Sequence, residues 1–238
     1  MNVYRFISCV EDLEDEILKL FYNISDIIKK EKLKEGTSID FINYEGVVIN
    51  TALVGESSKY FYFPGSEEKY DKKFKMSNFN FRISEMLRIG KTKKIVFQNE
   101  DKTVTIKVPE FSSFNYFYSA VLESEAGIIR LFNDIFYYLN LKGEGTKIIF
   151  GENWDDISIT NNKRVMFELE AKKIDNKICF KFPGIKKFED LYIDSYFPID
   201  YQVLLEEATC VEMAELLKTF CVKIVYKNGQ YTIFPDFR

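Results

Sequence analysis

The chain contains no histidine among its 238 residues. Serine and cysteine nucleophiles thereby lose their usual general base, and zinc loses its commonest ligand. Triad hydrolases and most zinc hydrolases are excluded in their usual form. Cysteine is scarce and scattered: Cys9, Cys179, Cys210 and Cys221 form no C-x-x-C pair. Neither a structural zinc site nor a disulfide framework follows, and the four read as small buried hydrophobes. No apolar run reaches the length of a membrane span, and the opening MNVYRFISC lacks a charged-then-apolar leader. The expectation is a soluble intracellular protein with no membrane partner. Basic residues are not in excess, and the net charge of -4 rules out a wholesale nucleic-acid coat. Any contact with DNA has to come from segregated cations.

What is present is apolar and aromatic. Hydrophobic residues make up 46% of the chain, with 23 Phe and 15 Tyr, which excludes disorder and supplies material for two packed cores. Acids occur beside Trp154 (Asp155, Asp156) and in the run Glu11, Asp12, Glu14, Asp15, Glu16. Both could be drawn as metal ligands. The second suits the first turns of a helix, whose dipole favours anions, and the first suits an exposed loop. No catalytic residue, metal or cofactor is assigned.

One stretch occurs twice. Ser8–Phe41 aligns with Ser119–Phe150: Ser8 meets Ser119, Val10 meets Val121, Ile17 meets Ile128, Leu20-Phe21 meets Leu131-Phe132, and Ile24 meets Ile135. After a short deletion Glu35-Gly36-Thr37 meets Glu144-Gly145-Thr146, and Ile39 and Phe41 meet Ile148 and Phe150. Near the ends of the halves, Lys94-Ile95-Val96-Phe97 resembles Lys223-Ile224-Val225-Tyr226, and Pro109-Glu110-Phe111 resembles Pro235-Asp236-Phe237. Similarity in order at both ends of two long segments predicts a duplicated unit, with domains at 1–113 and 114–238.

Each half reads as strand, long helix, antiparallel strands, short helix, hairpin, an α+β pattern. The expected elements of the first half are a strand Val3–Cys9, a helix from Glu11 to about Glu35 closed by Gly36, strands Ser38–Asn43, Val47–Leu53 and Lys59–Phe63, a short helix ending at Gly90, and a hairpin from Lys93 to Val108. Those of the second are a strand Tyr116–Leu122, a helix Ala126–Asn140, strands Thr146–Phe150, Asp156–Thr160, Arg164–Ala171, Ile178–Phe182 and Asp190–Tyr196, a helix Tyr201–Phe220, and a closing hairpin.

This order resembles the sliding DNA clamps of the proliferating cell nuclear antigen family. Gly46-Val47-Val48-Ile49, Ala52, Ser57-Ser58 and Lys59-Tyr60 follow the order of the family's first domain. Ile83-Ser84-Glu85-Met86-Leu87-Arg88 matches its second helix, and KIVYKNGQYTIFPDFR at the end is similar to its last strands and tail. The resemblance implies two tandem clamp-like units, each with antiparallel sheets and two helices. It implies a polymerase processivity factor, not an enzyme, working at DNA with a polymerase and a clamp loader and assembling as a homo- or hetero-oligomer. Edges for that assembly are expected near Val104–Val108 and Ile178–Phe182. The chain departs from the family in its very short junction and in an acidic last helix: Glu206, Glu207, Glu212 and Glu215 against Lys218. Two other readings stay open: a monomeric or heteromeric clamp-like DNA-binding subunit, and a duplicated α+β protein-binding scaffold that does not touch DNA.

Carried over by position, the DNA-facing cations are Lys19, Lys29 and Lys30 on the first helix, Arg82, Arg88, Lys91, Lys93 and Lys94 at the second, and Arg130 on the third. Sliding requires contacts to phosphate and not to base edges, which mobile Lys and Arg ends provide. The client-peptide groove maps to Leu53, Tyr60, Phe234, Pro235 and Phe237.

Overall fold

The computed structural model of the protein describes residues 3–74, 81–151, 165–174, 177–180, 191–193 and 209–237. The fold is mixed α+β, with antiparallel sheets and, among the described residues, four α-helices. Two compact units are formed, one by Ser8–Tyr118 and the other by Ser119–Arg238 together with Met1–Ile7.

The long helix α1 spans Val3–Lys30. The expected strand at Val3–Cys9 is instead its first turns. Phe6, Cys9, Val10 and Leu13 fall at helical spacing and prolong the buried stripe of Ile17, Leu20, Phe21, Ile24 and Ile28. A local alternation of β-formers is compatible with either state, and burying Phe6 completely decides for the helix. The same correction applies to Tyr116–Leu122. Helix α3 covers Phe114–Lys142, well beyond the expected Ala126–Asn140, because Phe117, Ala120, Val121 and Ser124 continue its buried face.

Helix α1 also stops before Glu35. Lys32 takes a left-handed conformation (φ 51°) and the Leu33 N–H donates to Ile28 O at 3.0 Å, the six-to-one bond that closes a helix. Gly36 shapes the turn into the sheet, donating its N–H to Val54 O.

In the first unit, β1 (Ser38–Ile42), β2 (Val48–Val54), β3 (Phe61–Tyr62), β4 (Lys94–Gln98) and β5 (Thr103–Lys107) pair in the order β3-β2-β1-β4-β5. Pleating puts Ile39, Phe41, Ala52, Val54, Phe61, Ile95 and Phe97 on one face, and all are buried. Phe21 of α1 meets this face. Its ring lies edge-on to Phe61 at 5.2 Å and to Tyr70 at 4.9 Å, and within 6.0 Å of Phe63 and Phe81. The other face carries Ser38, Asp40, Thr51, Leu53, Lys94, Val96, Gln98, Thr103, Thr105 and Lys107, and these are half-buried to exposed. Helix α2 (Ile83–Gly90) buries Ile83, Met86 and Ile89.

In the second unit, β6 (Lys147–Gly151), β7 (Val165–Glu170), β11 (Cys221–Tyr226) and β12 (Gly229–Ile233) pair in the order β12-β11-β6-β7. Between β7 and β11 in the chain, β8 (Lys172–Ile174), β9 (Lys177–Phe180) and β10 (Leu191–Ile193) form a three-stranded sheet with β9 in the middle. The expected edge at Ile178–Phe182 is therefore corrected, since β9 is paired on both sides. Strand β5, by contrast, does lie at an edge among the described residues. Helix α4 covers Cys210–Leu217. It does not run through from Tyr201, because Thr209 is extended and caps it: the Glu212 N–H donates to the Thr209 hydroxyl at 3.2 Å, and the Thr209 N–H donates to the Glu212 carboxylate at 2.8 Å. The expected strand Asp156–Thr160 and the acids Asp155 and Asp156 lie outside the described residues.

Local details recur in the two units. β1 sits between β2 and β4 as β6 sits between β7 and β11. Gly36 and Gly145 share φ 78°, and the Thr37 and Thr146 hydroxyls donate to carbonyls three residues back at 2.6 and 2.7 Å. The N–H groups of Lys93 and Phe220 both donate at 2.8 Å, to Ile42 O and Gly151 O. The strand registers shift the expected alignment of the hairpins by two residues. Phe41 faces Ile95 while Phe150 faces Val222, so Val222 and not Ile224 stands in the place of Ile95. On this register Met86 coincides with Met213, Glu85 with Glu212 and Thr92 with Thr219, and both threonines are buried.

Candidate functional site

The cation-rich segment Arg88–Lys94 is built from the end of α2 and the start of β4. Arg88 is exposed on α2. Lys91 caps the helix, its N–H donating to the Arg88 and Ile89 carbonyls, and its side chain is exposed. Thr92 turns inward. Lys93 is sequestered: its Nζ lies over the Tyr44 ring at 4.1 Å and 3.6 Å from Glu110, with the side chain only 17% exposed. Lys94 pairs with Ile42 and Lys107 and stands on the open face of the sheet, away from the helices. The four cations thus do not share one surface. Arg88 and Lys91 belong to the helix side, and Lys94 joins Lys107 on the other. Pleating causes this, since neighbouring strand residues point to opposite faces.

Lys19, Lys29 and Lys30 are exposed on α1, and the last two sit where the helix dipole favours cations. They share the solvent face with Glu11, Asp12, Asp15 and Asp26, the last of which is ion-paired with Lys72. That face is mixed in sign and not a basic stripe. Arg82 is exposed just before α2. Arg130, in the second unit, is exposed on α3 and donates from Nε to Ala126 O at 3.2 Å. With Leu122, Glu125, Ala126 and Ile129 it lines a shallow pocket of about 370 Å3.

The residues mapped to a client groove fall in both units. Leu53 is half-buried on the open sheet face opposite Tyr62. Phe234 is 50% exposed, its ring 6.0 Å from Phe220, and Pro235 is half-buried. Phe237 is buried against α3 and offers no surface. A side chain at Gly127 would meet its ring at 2.8 Å, so glycine there makes room for the tail.

Tyr60 belongs to a feature that sequence reasoning missed. An open pocket of about 390 Å3 lies beside β2 and β3. Tyr60 and Tyr62 supply its aromatic surface, with ring centroids 6.3 Å apart, and Tyr60 lies so close over Gly55 that any side chain there would strike the ring at 2.1 Å. Four carboxylates line it, Glu35, Glu56, Glu67 and Glu68, all exposed and none ion-paired among the described residues. Lys69 places its Nζ 4.8 Å from the Tyr60 centroid. In the sequence these groups appear only as the Glu35-Gly36 turn, a Gly/Ser break and a charged loop, and nothing there says that the three meet.

Each long helix also buries one carboxyl, at positions that the repeat aligns. Glu14 is 8% exposed, and burial, followed by repulsion from Glu11 and Asp15, lifts it from 4.5 to about 7. Glu125 is raised by burial alone. No cluster of metal-ligating side chains occurs among the described residues, and none of their helices is long and apolar enough to cross a membrane. No family model, curated protein or solved structure matches this chain.

Proposed function

We propose that the protein is a clamp-like processivity subunit made of two copies of one unit, which holds duplex DNA without sequence preference and tethers a polymerase or repair protein to it. The observation that supports this reading is the like order of four strands in the two units, β2-β1-β4-β5 and β7-β6-β11-β12, each with a long helix before it and a short helix ahead of the closing hairpin. The residue order that resembles the clamp family supports it. The task is topological, so exposed cations are needed and a reaction centre is not.

DNA held on the helix side would meet Arg88, Lys91, Lys29 and Lys30, while Lys94 and Lys107 would face away. The assembly is self-association or pairing with related chains through the β5 edge, whose exposed Thr103 and Thr105 keep it soluble until it is paired. Clamp loader and polymerase are the expected partners, at intracellular DNA.

The test compares two double variants in duplex-DNA binding and in polymerase stimulation on a long primed template. Arg88→Ala with Lys91→Ala should weaken binding alike for all sequences and reduce the log–log salt slope by about 2. Lys94→Ala with Lys107→Ala should change neither. Equal effects of the two pairs would refute the helix-side assignment. A wild-type protein that neither binds duplex DNA nor stimulates synthesis would leave the second reading, a duplicated protein-binding scaffold. The acids exposed on α1 and the exposed Tyr4, Tyr116, Tyr137 and Phe234 favour that alternative.

A further inference from the structure

We infer that the Tyr60 pocket is a docking site for the basic side chains of a peptide segment of a partner protein, arginine above all. Its size lies at the lower end of ligand sites, about 300–1,000 Å3, which suits one or two side chains and not a large cofactor. Three observations point to cationic chemistry. The lining holds two tyrosines and four carboxylates beside Val54, Ser66 and Lys69, so acceptors outnumber charged donors and most of its apolar side-chain surface is aromatic. Both attract a cation, the carboxylates by charge and the ring faces by their quadrupole. None of the four carboxylates is ion-paired among the described residues, and four of them against Lys69 leave the pocket with a net negative charge. Lys69 instead places its ammonium over Tyr60, so the chain itself shows that this ring accepts a cation.

Geometry holds the rings ready. Gly55 lets the Tyr60 ring approach the backbone of the β2–β3 connection, and the Gly55 N–H donates to Tyr60 O at 2.9 Å. The adjoining Ser57 and Ser58 are both left-handed, with φ 59° and 54°. A planar guanidinium can stack on Tyr62, or on Tyr60 in place of Lys69, and present its in-plane fork of N–H donors to the carboxylates, whereas an ammonium has no plane to stack; this favours arginine. The inference uses none of the cations invoked for DNA, so the two stand or fall separately.

The probe is a short peptide of alternating arginine and serine, with the same peptide carrying citrulline as the uncharged isostere. Binding to the full chain is followed by fluorescence anisotropy at low and at physiological salt. The arginine peptide should bind and the citrulline peptide should bind at least about tenfold more weakly. The triple variant Glu56→Gln, Glu67→Gln, Glu68→Gln, whose exposed positions leave folding intact, should lose a similar factor. Tyr60→Leu should weaken binding further while Tyr60→Phe retains it, because the face and not the hydroxyl is used. Spermine should compete poorly, having charge without the planar fork. Equal binding of the arginine and citrulline peptides, or of wild type and the triple variant, would overturn the inference. Equal loss in Tyr60→Phe and Tyr60→Leu would overturn the role given to the ring.

Discussion

Glu14 offers the sharpest test of the packing under α1. Its side chain is 8% exposed, and burial, reinforced by Glu11 and Asp15, raises its carboxyl from 4.5 to about 7. Below pH 4.5 the group is protonated whether the chain is folded or not, and it adds no penalty. Between the two values the unfolded chain releases its proton and the folded one keeps it, so stability falls as pH rises. Above about 7 both forms are ionised and the loss is complete. At about 1.4 kcal/mol per unit the full loss is about 3 kcal/mol, and nearer 2 where water reaches the rim of the carboxyl. Glu14→Gln keeps the shape and removes the titration. Urea unfolding of both proteins across this range should show equal stability near pH 4 and an advantage for the variant of about 2–3 kcal/mol near pH 8. A difference that stays constant with pH would mean that water solvates the carboxyl in the folded state, and the placement of Glu14 against the core would be wrong.

Phe21→Ala should destabilise the protein by about 3–5 kcal/mol, since it empties the centre of a cluster of four rings; a loss under about 1 kcal/mol in chemical denaturation would contradict that packing. Gly127→Val should displace Phe237 from α3 and make the C-terminal tail sensitive to protease while the rest stays resistant, and a tail as resistant as in wild type would contradict its seating on the helix.

The stripe of apolar residues at helical spacing was enough to place both long helices, the alternation of Lys94–Gln98 and Thr103–Lys107 to place the hairpin, and the repeated Glu-Gly-Thr to place two equivalent turns. These signals are local, because periodicity and turn chemistry act over a few residues. Where two local patterns competed, tertiary burial decided. Val3–Cys9 and Tyr116–Leu122 read as strands, yet they are helical because Phe6 and Phe117 find a core only from a helix. The hairpin register came from pairing with β1 and β6, which no string comparison contains, and it moved the alignment by two residues. The same holds for the candidate sites. A run of cations was visible from Arg88 to Lys94, but the pleat of β4 and the ring of Tyr44 separated its members. The pocket at Tyr60 gathers Glu35, Glu56, Glu67 and Glu68 from three separate stretches of chain. Convergence of that kind depends on how strands and turns meet in space, and only the folded chain determines it.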